Sequence, residues 1–297
     1  MAMRVLLIGS HGQVGREIAS LLQQQAEIEY VCLDRLCLDL LDTAAIKPKL
    51  VALGHFDWIV NASAYTAVDK AETEIALANA VNHLAVRKIA QFAYEQKTHV
   101  LHFSTDYVFD GKSKKPYTEM SVTQPINIYG QTKLAGEEAL QRYQPDHLIV
   151  RTSWVFSEHG HNFLKTILRL LQNNTSINVV SDQQGIPTAA KDLARVSLAL
   201  LTMNVKAGIY HYCSGDSTTW HGFASYIRAS TLRWGYVLCQ EIKAIKTEEY
   251  PMPAQRPLYS VLNTAKIQAA GVKIHPWQNS VDEVVESLLR EKLLCDK

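Results

Sequence analysis

The sequence predicts an α/β protein: a doubly wound, Rossmann-like parallel sheet with a smaller, irregular C-terminal lobe. Three observations predict it. Short apolar, β-branched runs alternate with longer amphipathic ones, the pattern of strands buried on both faces and joined by helices. The first run, Arg4-Val5-Leu6-Leu7-Ile8, opens directly into the glycine-spaced turn Gly9-Ser10-His11-Gly12-Gln13-Val14-Gly15, which a helical pattern follows. From Thr219 the alternation becomes irregular and includes a proline-rich segment, Pro251 to Pro257. With 297 residues, 47% hydrophobic and 20% charged, the chain has the size of one large unit or two closely joined domains.

Composition narrows the class. A net charge of +1 gives no reason to expect nucleic acid or an anionic membrane as a partner. No apolar run reaches the ~20 residues that span a bilayer. The N-terminus enters a strand-like run at once, which leaves no room for a signal peptide. Five cysteines are scattered without a C-x-x-C pair, as in a reduced compartment. The expectation is a cytoplasmic protein.

Along the chain, strand, glycine turn and helix in that order form the context of a dinucleotide site. Gly9, Gly12 and Gly15 permit a tight turn and let backbone N–H groups approach a pyrophosphate at the helix N-terminus. The second strand, Ile28 to Leu33, ends at Asp34-Arg35. An acid there binds ribose hydroxyls and favours NADH, whereas Arg35 welcomes the 2′-phosphate of NADPH; both cofactors stay open. Asp39 is a second candidate for the adenosine end. Trp58 to Asn61 is a third strand, and Ala62-Ser63-Ala64-Tyr65-Thr66 after it either lies along a cofactor or packs tightly against the next helix. Glu74 to Lys97 reads as one long helix, in which Asn82 is expected to be solvated or a cap.

His99 to Phe103 is the fourth strand and delivers Ser104-Thr105-Asp106 to its C-terminal end, where open α/β sheets bind ligands. A turn cap is the blander role for these residues. Lys112 to Pro125 is a polar surface loop. The next helix carries Tyr129 and Lys133, four residues apart and so on one face. A fixed cation at roughly 6 Å, at an effective dielectric of about 20, favours tyrosinate by ~3 kcal/mol, or about two pKa units. His147 to Arg151 is the fifth strand, and Trp154 beyond it is either a stacking platform or a core aromatic. His159-x-His161 invites a zinc reading, but no carboxylate or cysteine is expected to complete a metal set nearby. Asn162 to Leu171 reads as helix, Ile177 to Val180 as strand, Lys191 to Leu201 as helix and Gly208 to Tyr212 as strand. The loop-rich end of the chain is the expected substrate lobe, where Arg256 is either a bidentate phosphate clamp or a surface arginine. The expected domains are 1–153 with 190–213 returning to it, and a substrate lobe of 154–189 and 214–297.

Taken together, Gly9 to Gly15, Asn61 to Glu72, Ser104 to Gly111, Tyr129 to Gly136 and Arg151 to Phe156 resemble the dTDP-4-dehydrorhamnose reductase family. Asn162-Phe163, Asp182 to Thr188 and Arg256-Pro257 fit the same pattern. The resemblance implies NAD(P)H-dependent reduction of the C4 ketone of dTDP-4-dehydro-L-rhamnose. By position it makes Thr105, Tyr129 and Lys133 catalytic. It assigns cofactor contacts to Gly12, Gln13, Val14, Asp39, Leu40, Ala64, Tyr65 and Thr66, and nucleotide-sugar contacts to Thr105, Asp106 and Trp154, with Tyr107 beside them. Some members bridge a dimer through a metal held by an acid after the Pro-Thr pair; here Lys191 stands there, with Asp192 next to it, so no metal is expected. The sequence allows a homodimer. Two other readings remain open. A 4,6-dehydratase or epimerase shares the scaffold, but the dehydratases carry a Glu where Tyr107 follows Asp106. A non-catalytic subunit similar to that of methionine adenosyltransferase would not require Thr105, Tyr129 and Lys133 intact.

Overall fold

Apolar alternation within the strands decides how the layers stack. The computed structural model describes residues 2–203, 205–235 and 237–295, with side chains described to residue 290. In β1 (Met3–Ile8), Val5 and Leu7 face one way and Leu6 and Ile8 the other, and all four are buried. Val5 and Leu7 join a core with Ile18 and Leu22 of helix α1 (Gln13–Leu22). Leu6 and Ile8 join a second core with Ile46 and Leu50 of α2 (Thr43–Ala52). A strand apolar on both faces thus has a helix layer on each side.

The main sheet takes β1, β2 (Ile28–Leu33), β3 (Trp58–Asn61), β4 (His99–Thr105) and β5 (His147–Thr152) in turn. The chain then leaves to form β6 (Val155–Phe156), β7 (Ser176–Val180), β8 (Gln184–Gly185) and β9 (Thr188–Ala189), and returns with β10 (Gly208–His211). The six main strands pair in parallel in the order β10-β5-β4-β3-β1-β2. Strand order reverses between β1 and β3, and such a switch point opens a crevice at the carboxyl ends of the strands.

Between β3 and β4 the expected single helix is three pieces after the short α3 (Val68–Ala71). These are α4 (Ile75–Asn79), a π-turn at Ala80–Leu84, and α5 (Ala85–Gln96). Asn82 sits in the π-turn and is buried, neither solvated nor a cap. Its amide accepts from Tyr65 N–H at 2.8 Å and donates to Tyr65 C=O at 3.1 Å and to Thr132 Oγ1 at 3.2 Å. One extra residue in the turn aims this side chain at the β3 loop and at the next helix; π-bulges recur where function requires such an offset.

That next helix, α6 (Ile128–Tyr143), lies unusually close to its neighbours. Cβ atoms built on Gly130 and Gly136 would fall 2.2 Å from the Tyr107 carbonyl oxygen and 2.1 Å from that of Asn82. Asn127 caps the helix by accepting from Gly130 N–H at 2.8 Å. Glu137 anchors its middle in a buried, two-pronged pair with Arg151 of β5, at 2.9 and 2.6 Å.

The second lobe has its own core, in which Phe156 and Leu164 meet Phe223, Trp277 and Val281. Its helices are α7 (Phe163–Asn173), α9 (Trp220–Leu232), the short α10 (Ala265–Ala269) and α11 (Trp277–Cys295), while α8 (Ala190–Thr202) packs against α1. Strands β7 and β12 (Glu241–Ile245) pair in parallel, and β11 (Thr218–Thr219) pairs with β8. The end of the chain is therefore more helical than its irregular pattern suggests. Among the described residues no helix is long and apolar enough to cross a membrane.

A Gly-to-Ala change inside a helix ordinarily gains up to about 1 kcal/mol. Gly136→Ala should instead destabilise the protein by about 1–3 kcal/mol, because a methyl group there overlaps the Asn82 carbonyl. Urea unfolding measures it, and a stabilised variant would show that α6 does not need this approach.

Candidate active site

The turn after β1 forms one end of the site. A Cβ on Gly15 would lie 2.1 Å from the Gly9 carbonyl oxygen, so helix and turn meet only through glycine. Gly12 differs: a Cβ there would sit 3.4 Å from its nearest protein atom, an ordinary contact. Gly12 is also the N-cap of α1 and makes no side-chain cap, which leaves first-turn N–H groups of Gln13 and Val14 available. The Gln13 side chain is committed to the second lobe, accepting from Ser157 Oγ at 2.9 Å and Asn162 Nδ2 at 2.8 Å.

At the end of β2, Asp34 accepts from Cys37 N–H at 2.9 Å and lies 3.3 Å from His11. The Cys37 hydrogen bonds, with a smaller contribution from His11, hold its carboxyl below the usual range. Arg35 beside it is exposed. Asp39 accepts from Leu41 N–H, and the Leu40 side chain is buried in the core, so Leu40 offers a ligand only its backbone. After β3, Ala62 and Ala64 are partly exposed and Thr66 is exposed and lines the cleft. Tyr65 is fastened by Asn82 and by Glu74, to which its hydroxyl donates at 2.7 Å.

The cleft itself has a volume of about 800 Å³ and lies between the sheet's carboxyl edge and the second lobe. Its floor is Thr105, Asp106, Tyr107 and Tyr129. The Thr105 hydroxyl donates to Asp106 Oδ1 at 3.0 Å and accepts from Tyr107 N–H at 3.1 Å, so the turn-cap role and the cleft position coincide. Asp106 is buried and its Oδ2 has no partner. Burial pushes its carboxyl up to about 7, against hydrogen bonds from Ser260 and Thr105. Tyr107 is buried and meets the Tyr129 ring edge-on at 5.8 Å.

Tyr129 and Lys133 do lie on one face of α6, but not as an activated pair. Lys133 is buried and donates to the Phe103 carbonyl at 2.7 Å; burial pulls its ammonium down to about 8, against the charge of Glu137. Tyr129 is pushed up to about 12 by burial, with the charge of Asp106 adding to it and the Thr105 hydrogen bond opposing. In the free protein, desolvation thus dominates the phenol, and the lowering expected from a fixed cation is not seen.

The opposite wall comes from the second lobe. Trp154 has φ +48° and stacks flat on Trp220 with ring centroids 3.5 Å apart, over a glycine, Gly185, whose Cβ would strike the Trp154 ring at 2.5 Å. Arg256 lines the cleft, but its guanidinium is already engaged by Asp69, at 3.0 and 2.7 Å. Asp69 also accepts from Ala254 N–H at 3.2 Å, so one acid of α3 fastens the proline-rich segment over the cleft.

Sequence reasoning missed Asn82, Asp69, Asn61 and His102. A polar residue on the apolar face of a pattern was the available signal for Asn82 and for His102, which shares an inward face with Val100 in β4. The histidine motif also changes. His159 meets its neighbour Glu158 and Glu17, which is distant in sequence, and one ligand atom from each lies within 4.8 Å of the others. The three already pair among themselves, at 3.8 and 3.6 Å from the His159 ring. Lys191 pairs with Glu283 at 3.0 Å, and Asp192 is buried with Arg195 and Ser214.

A carboxyl raised in the folded state binds its proton more tightly there than in the unfolded chain. Its effect is a stability loss that grows as pH rises from the unfolded value near 4 to about 7. Asp106→Asn should therefore gain more thermal stability over the wild type at pH 8 than at pH 5. Equal gains at both would mean that the folded protein ionises Asp106 throughout.

With this geometry in place, comparison with known proteins is direct. A family model described as "RmlD substrate binding domain" matches residues 3–290. A dTDP-4-dehydrorhamnose reductase of Salmonella typhimurium is 41% identical over 297 aligned residues, covering 96% of this chain and 98% of that one. The crystal structure of such a reductase from Clostridium acetobutylicum superposes with a TM-score of 0.89 at 34% identity, covering 97% of this chain and 100% of that one. One from Bacillus anthracis, solved in complex with NADP, gives 0.89 at 31% identity over the same shares. A match of this extent and level leaves no separate segment to explain, and the chain belongs to the RmlD substrate binding domain family, that of the dTDP-4-dehydrorhamnose reductases.

Proposed function

We propose that the protein reduces the C4 ketone of dTDP-4-dehydro-L-rhamnose to dTDP-L-rhamnose with NADPH or NADH. The observation that carries the reading is the cleft floor: a full phenol at Tyr129, with the Thr105 hydroxyl and Asp106 beside it, at the carboxyl edge of a dinucleotide-type sheet. Ketone reduction needs a proton donor at the carbonyl oxygen, and a phenol held protonated is one. The relatives named as dTDP-4-dehydrorhamnose reductases supply the substrate.

The turn fits a dinucleotide. Space beside Gly12 that a Cβ would fill, and first-turn N–H groups without a side-chain cap, suit a pyrophosphate. Residues 1–153, joined by 190–213, would hold it, and 154–189 with 214–297 would hold the sugar nucleotide. When bound, the reduced nicotinamide supplies the hydride. Tyr129 then gives its proton to the developing alkoxide, and Thr105 donates to the same oxygen by releasing Asp106. Asp106, buried beneath the cleft, accepts the Thr105 hydroxyl and so holds it in place before the sugar arrives. Trp154 and Trp220 offer an aromatic wall to the nucleotide sugar. Arg256 reaches a phosphate only by giving up Asp69. Tyr107 stands where a dehydratase would place its glutamate, and that favours simple reduction over elimination.

Tyr129→Phe should lower kcat by about 10²–10⁴-fold while NADPH still binds, read from nicotinamide oxidation with the 4-keto sugar nucleotide; wild-type turnover would remove Tyr129 as the acid. Arg35→Ala should raise the KM for NADPH about tenfold, the loss of one charged phosphate contact, and leave that for NADH within about twofold. Equal changes for both cofactors would place Arg35 away from the 2′-phosphate.

A further inference from the structure

Beneath the cleft floor a line of buried polar groups runs from the β3 loop to Lys133. Ser63 donates to Asn61 Oδ1 through both its N–H, at 3.2 Å, and its hydroxyl. Asn61 Nδ2 lies 3.1 Å from His102 Nδ1, and His102 Nε2 lies 3.2 Å from Lys133 Nζ. Asn61 and His102 are register partners on neighbouring strands, and Asn61, His102 and Lys133 are all at least 98% buried.

Hydrogen-bond chemistry sets the direction of this line. A backbone N–H only donates, so the Ser63 contact fixes which end of the Asn61 amide is oxygen. The NH₂ end therefore faces His102 and makes Nδ1 an acceptor. Burial and the neighbouring lysine hold the imidazole neutral, so its single proton is on Nε2, aimed at Lys133. An ammonium has no lone pair to receive it, whereas an amine does, and the amine still donates to the Phe103 carbonyl.

We infer that His102, with its tautomer set by Asn61 and Ser63, is a positioning residue: its Nε2–H disfavours the Lys133 ammonium, so that the lysine beneath Tyr129 holds its proton loosely. This rests on the role of Tyr129 proposed above and on Lys133 acting with it, as the family resemblance implies. Burial already lowers the Lys133 ammonium to about 8, and an N–H aimed at its nitrogen works in the same direction. The other charged groups bearing on Lys133 are Glu137 on its own helix, which favours the ammonium, and Arg151 of β5, which occupies that carboxylate.

The test follows Lys133 directly in the free, full-length protein, by NMR titration of ε-¹³C-labelled lysine. Its resonance is the one missing from Lys133→Met. In His102→Gln the side-chain oxygen can accept from the ammonium, and in Asn61→Asp the carboxylate pulls the imidazole proton to Nδ1 and frees Nε2 as an acceptor. Both variants should raise the Lys133 midpoint by about one pH unit, the scale of one charge-assisted hydrogen bond. The basic limb of the kcat/KM profile for ketone reduction should move with it. Two independent substitutions guard against one that does not fold. A midpoint unmoved in the folded variants overturns the inference, as does a midpoint that moves while the limb stays. If the wild type reduces no 4-keto sugar nucleotide, the proposed function falls while the titration still reports on His102.

Discussion

The close seating of α6 is the constraint on which the site depends. Backbone carbonyls of Tyr107 and Asn82 press on the helix where only glycine leaves room. The buried Glu137–Arg151 pair then fixes its rotation against β5. Breaking such a pair on one side strands a charge, which makes the helix position hard to relax. Tyr129 and Lys133 have their places because of these contacts, one at the cleft and the other beneath it. The π-turn is part of the same fit, since it turns Asn82 towards both the β3 loop and α6.

Desolvation organises the chemistry of the floor. It pushes Asp106 and Tyr129 up and Lys133 down, so the groups converge on uncharged forms before any ligand arrives. A floor in this state keeps its protons and repels neither a ketone nor the sugar hydroxyls around it. Charge is kept instead at the rim, where Asp69 and Arg256 neutralise each other and Asp34 lies among hydrogen-bond donors.

Much of this was legible in the sequence, for identifiable reasons. β1 and the Gly9–Gly15 turn were readable because a buried parallel strand and a glycine turn are local patterns. Thr105 and Tyr129 at the cleft, and Lys133 on the same helix face as Tyr129, were readable because a strand end and an i, i+4 spacing are local patterns. The sign of the tyrosine shift was not, since a Coulomb estimate between two residues omits the solvent that both have lost. Nor were Asp69 with Arg256, or Glu17 with His159, because no local pattern links residues so distant along the chain. The π-turn escaped for another reason: one inserted residue leaves the apolar periodicity on either side intact.

The late return of β10 affects how the protein is made. Until Gly208–His211 emerges, β5 has an open edge of N–H and C=O groups, although the finished strand is buried throughout. At elongation rates of about 5–20 residues per second the chain between Thr152 and Gly208 takes roughly 3–11 s to appear. For that interval the nascent sheet presents a sticky apolar border to anything nearby. The whole second-lobe excursion must be extruded before the border closes, so chaperone demand during translation should fall mainly within this window.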